Sequence, residues 1–83
     1  REIQVTVRST DGKDSIYKIA KNKLIVDIKK KLSETTEISI FNINLFIATS
    51  EQPVMNNTPL SELLVATNVT NNLELFLIVS DTA

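Results

Sequence analysis

Ile3-Gln4-Val5-Thr6-Val7-Arg8, Ser9-Thr10-Asp11-Gly12-Lys13 and Ser15-Ile16-Tyr17-Lys18-Ile19 follow one another at the start of the chain. Alternating apolar and polar residues on both sides of an Asp-Gly step are the strongest short-range signal for a β-hairpin. In the first strand Ile3, Val5 and Val7 share one face and Gln4, Thr6 and Arg8 the other, while Tyr17 and Ile19 share a face of the second. The period then changes. From residue 24 to residue 34, Ile25, Ile28 and Leu32 repeat at i, i+3 and i+7, the apolar stripe of a helix about three turns long. Lys29, Lys30 and Lys31 are expected on its solvated arc, with Asp27 meeting Lys30 and Lys31 at i+3 and i+4. Thr35, Thr36 and Glu37 end the helix without a C-cap glycine, which predicts a soft boundary.

Residues 43–48 read as a third strand, with Ile43, Leu45 and Ile47 inward and Phe46 outward. After Ser50-Glu51-Gln52-Pro53, where the proline confines pairing to an edge, Val54 is the expected plug of a short fourth strand. Thr58 as N-cap and Pro59 as first helical residue open a short second helix. A polar turn at 68–72 leads to a last strand at 73–79, with Leu73, Leu75, Leu77 and Val79 inward and Glu74, Phe76 and Ile78 outward. The expected core is Ile3, Val5, Val7, Ile19, Ile25, Ile28, Leu32, Ile43, Leu45, Ile47, Val54, Leu60, Leu73, Leu75 and Leu77.

Composition narrows the chemistry. Eighty-three residues, 42% hydrophobic and 23% charged, make a single domain over 1–83. No cysteine means no disulfide, thiol nucleophile or thiolate metal site, and favours an intracellular, cytoplasmic or nuclear setting. Without histidine the usual general base is missing, and one glycine cannot build a glycine-rich phosphate cradle. Asp11 and Asp14 flank the hairpin, but two carboxylates without an oxygen cage read as turn residues. The expectation is therefore a non-enzymatic module with no cofactor and no metal. No apolar run reaches the length of a membrane span, and the start at Arg1 suggests a piece excised from a longer protein. All nine basic residues lie within 1–31 against four acids there, and the remaining stretch holds six acids and no base. This polarity either builds a basic face or cancels as folding interleaves the halves.

The chain resembles a ubiquitin-like domain from residue 2 to about residue 79. Thr10-Asp11-Gly12-Lys13 resembles the family's first hairpin and Ile25-Val26-Asp27-Ile28-Lys29-Lys30-Lys31-Leu32 its helix. Leu45-Phe46-Ile47-Ala48 resembles the third strand, Asn57-Thr58-Pro59-Leu60-Ser61-Glu62 the opening of the short helix, and Leu73-Glu74-Leu75-Phe76-Leu77 the closing strand. The resemblance implies an α+β, ubiquitin-like β-grasp fold in ββαββ order, a mixed four- to five-stranded sheet packed on one α-helix. In ubiquitin and many relatives, noncovalent receptors dock on an apolar patch of the third and fifth strands and the hairpin tip. Those positions hold Phe46, Phe76 and Thr10 here; Glu74 stands where ubiquitin has a histidine, and Ile78 extends the strip where ubiquitin has a base.

The resemblance thus implies a monomeric docking or adaptor module for protein partners, among them helices or domains of the ubiquitin-receptor type. Because the chain closes Val79-Ser80-Asp81-Thr82-Ala83, with no glycine after Gly12, it does not match the family's conjugated modifiers in this form. A second reading takes the chain as a Ras-association-like β-grasp module that pairs its second strand with a partner through a basic edge of Lys18, Lys21, Lys23 and Lys30. Nucleic acid is not an expected partner, since the outward Phe residues lie on strands away from the lysines. Asn56-Asn57-Thr58 and Asn68-Val69-Thr70 match the glycosylation acceptor pattern, as chance allows in a chain rich in Asn and Thr.

Overall fold

The computed structural model describes residues 2–80. The hairpin consists of β1 (Glu2–Ser9) and β2 (Asp14–Ala20), paired antiparallel from Glu2 opposite Ala20 to Arg8 opposite Asp14. Gly12 takes φ 85 at the turn, a left-handed conformation that glycine adopts without a Cβ clash. Its N–H donates to Ser9 O at 3.1 Å, and the Asp11 carboxylate accepts the Lys13 N–H at 3.0 Å. That backbone hydrogen bond, helped by one to Ser9, holds the Asp11 pKa below its ordinary value.

Helix α1 (Ile25–Thr36) follows, then a 3₁₀ turn at Ile40–Asn42, β3 (Ile43–Phe46), helix α2 (Leu60–Ala66) and β4 (Asn72–Val79). The sheet order is β2-β1-β4-β3, with β1 and β4 parallel and both outer pairs antiparallel. The result is a compact α+β fold: a mixed four-stranded sheet, one main helix packed on it, and a second short helix. Inward residues of all four strands, Ile25, Ile28 and Leu32 of α1, and Leu60, Leu63 and Leu64 of α2 form one hydrophobic cluster. No helix among the described residues is long and apolar enough to cross a membrane.

Several local expectations change. Val54 belongs to no strand: its N–H donates to Leu45 O at 2.7 Å and its side chain packs half-buried against the core. With Pro53 unable to donate, the segment makes one edge contact and no ladder. Pro59, not Thr58, is the N-cap of α2, at φ −69 and ψ 145, and helical geometry begins at Leu60. Helix α1 begins at Ile25, with Leu24 as its N-cap, and ends over Thr35, Thr36 and Glu37 as expected; Glu37 is the C-cap, adopts φ 62 and donates its N–H to Ser33 O. Among the described residues Asp27 makes no ion pair with a lysine. Its carboxylate accepts the Leu24 N–H at 2.9 Å while its own N–H donates to Leu24 O, so it fixes the helix start. Val79 lies on the inward register but is 45% exposed at the end of β4. The closing residues 81–83, read above for the missing terminal glycines, lie outside the described residues, as does Arg1.

Lys29 is the largest departure. It is buried, at 7% exposure, because it stands four residues after Ile25 and three before Leu32, inside the apolar stripe. Its Nζ reaches the loop before α2 and donates to Asn56 Oδ1 at 2.6 Å. Burial disfavours the ammonium and lowers the Lys29 pKa from 10.5. Tyr17, half-buried on the inward face of β2, also has a buried hydroxyl with no hydrogen-bond partner among the described residues.

Ile28 and Leu75 are both fully buried, and truncating either to Ala should cost about 2–5 kcal/mol in urea unfolding. An unchanged midpoint for both would contradict this core. Lys29 supplies a pH signature. Since its folded pKa is lowered, the unfolded chain binds more protons in the interval just beneath 10.5, and this group makes stability rise with pH there. The parent chain should gain stability relative to Lys29→Met as pH climbs through that interval; equal pH slopes would contradict a buried ammonium.

Candidate functional site

The register on the outer sheet face aligns Asp14, Arg8, Phe76 and Phe46 as one row across all four strands. Phe46 and Phe76 are direct partners on antiparallel strands, close enough for their rings to pack, and each is half-buried. One step toward the end of β4, Ile78 pairs with Asn44 and is 48% exposed. The Asn44 amide donates to Ile78 O at 3.3 Å and also to Ser80 Oγ, holding that strand end in register. One row the other way, Glu74 lies beside Thr6, with Ile16, 61% exposed, beyond it on β2.

Arg8 ties this face together. Its Nε donates to Glu74 Oε2 and its Nη1 to Asp14 Oδ2 at 3.5 Å. The hydrogen bond and charge of Glu74, then the charge of Asp14, raise the Arg8 pKa above its ordinary value. Between hairpin tip and β4 lies a groove of about 500 Å³ lined by Arg8, Ser9, Thr10, Gly12, Asp14, Phe76, Leu77 and Ile78. Thus Thr10, Phe76 and Ile78 meet around one depression, Phe46 flanks it across Phe76, and Glu74 borders it through Arg8.

The lysine edge is assembled in part. A groove of about 430 Å³ between β2 and α1 is lined by Lys18, Lys23, Lys30 and Lys31, but equally by Glu2, Asp27 and Glu34. Four bases against three acids leave the lining with an excess of one positive charge. Lys21 is outside that set; its carbonyl accepts the Ser61 N–H at the start of α2.

A third depression, about 530 Å³, opens where the hairpin meets the end of α1, over Val7, Leu32, Ile38, Leu77 and Val79, with Thr10 and Lys13 at its margin. Near it in sequence, Phe41 stands 88% exposed on the 3₁₀ turn, where Ser39 Oγ accepts its N–H at 3.3 Å. Sequence reasoning missed Phe41. Its one signal was Ile40-Phe41 placed before a strand, with neither a period of 2 nor of 3.6 to assign a face. No protein-family model matches the chain, and no curated protein matches it either.

The aromatic pair can be checked directly. A double-mutant cycle on Phe46→Ala and Phe76→Ala should return a coupling of about 0.5–1.5 kcal/mol in unfolding free energy. Additive effects would mean that the rings do not touch.

Proposed function

We propose that this chain is a ubiquitin-like β-grasp domain acting as a noncovalent, non-enzymatic docking module for protein partners inside the cell. The observation that carries the reading is the convergence of Phe76, Ile78 and Thr10 around one groove on the outer sheet face, with Phe46 beside it. These four positions come from two strands and a turn, and an apolar cluster of this kind on a small domain marks an interface. The β-grasp assignment draws support from the hairpin, the helix packed behind it, and the parallel pairing of β1 with β4 at the sheet centre. The three acids that share the β2–α1 groove with its four lysines, and the absence of Lys21 from that lining, favour the sheet face over the basic edge as the docking surface. The domain is proposed to act as a monomer, its partners being helices or small domains.

Titration of the labelled domain with a synthetic amphipathic helix carrying an uncharged polar face tests this. Saturable amide shifts should centre on Thr10, Phe46, Glu74, Phe76 and Ile78 and vanish in Phe46→Ala. Shifts confined to Lys18, Lys23 and Lys30 would move the site to the basic edge.

A further inference from the structure

The electrostatics beside the aromatic pair narrow the class of partner, an inference that rests on the docking reading above. Arg8 is the one cation in the row that carries Phe76 and Phe46, and it is engaged twice, by Glu74 and by Asp14. One positive and two negative groups leave that border with a net negative charge. Their side chains remain accessible, at 51% for Arg8, 46% for Glu74 and 40% for Asp14. Lys13, the other base of the hairpin tip, lines the depression at the end of α1 instead. On the far side no base stands near the aromatic pair, because the sequence has no Lys or Arg after Lys31 and both β3 and β4 lie beyond it, with Glu74 as the acid they carry.

Backbone accounting restricts the form of the partner. β3 is an outer strand next to the patch, but Leu45 O already accepts the Val54 N–H and the Ile43 N–H already donates to Ile40 O. An added strand would find those edge groups taken, whereas a helix laid across the face needs only side-chain contacts.

We propose that the outer sheet face selects a cationic amphipathic helix. Its apolar side chains seat on Phe46, Phe76 and Ile78, and its flanking Lys or Arg residues meet Glu74 and Asp14. An anionic helix would bring its carboxylates against two more, with the nearest guanidinium already neutralised.

The test uses two synthetic amphipathic helices with the same Leu/Ala face, one flanked by Lys and Arg, the other by Glu, followed by fluorescence anisotropy. At low salt the cationic helix should bind about tenfold tighter, and the margin should shrink at about 0.5 M NaCl. Glu74→Gln and Asp14→Asn should each reduce the preference, while Arg8→Gln should widen it, with circular dichroism verifying that each variant is folded. Equal binding of the two helices, or preference for the anionic one, overturns the charge selection and leaves sheet-face docking intact. Binding of neither overturns both.

Discussion

The parallel pairing of β1 with β4 is the constraint on which the rest of this fold depends. Those strands are separated by more than sixty residues of chain, yet they form the middle of the sheet, from Gln4 opposite Asn72 to Ser9 opposite Leu77. Val5, Val7, Leu73 and Leu75 are therefore buried together beneath α1 and reach 0–1% exposure. Nothing local specifies this pairing. It is stabilised by burial of the inward face, and a slip of one residue would turn Leu73, Leu75 and Leu77 to solvent.

The same pairing arranges the charge. Because the order is β2-β1-β4-β3, the two strands from the lysine-bearing half lie side by side, as do the two from the half without bases. Within the sheet the halves meet at the β1–β4 seam, and the Arg8–Glu74 pair spans it. The polarity of the sequence is thus kept in the sheet, and is partly offset in the β2–α1 groove, where Lys18, Lys23, Lys30 and Lys31 share the lining with Glu2, Asp27 and Glu34. Binding strength on the outer face then follows from what Arg8 leaves uncompensated.

Much of the fold was legible in the sequence because its elements are strongly periodic. Every residue expected in the core is buried except Val54, which packs half-buried from a loop. Leu63 and Leu64 join the core beyond that expectation, at i+3 and i+4 from Leu60 on a helix of 7 residues. Lys29 was read by its charge, when its spacing from Ile25 and Leu32 placed it in the buried stripe, where Asn56 from a distant loop satisfies it. The outward positions of Phe46, Phe76 and Ile78 followed from alternation alone. Their assembly with Thr10 and Arg8 depends on cross-strand register, which alternation does not encode. Phe41 lies on a turn with no periodicity, and the sequence offers no face for it.

The most direct test of this account is the set of interstrand nuclear Overhauser effects between β1 and β4. Parallel pairing predicts contacts linking Thr6 with Glu74 and Val7 with Leu75, rising together along both strands toward Ser9 and Leu77. Antiparallel contacts between these segments, or none, would contradict the central seam and with it the placement of the aromatic row beside Arg8.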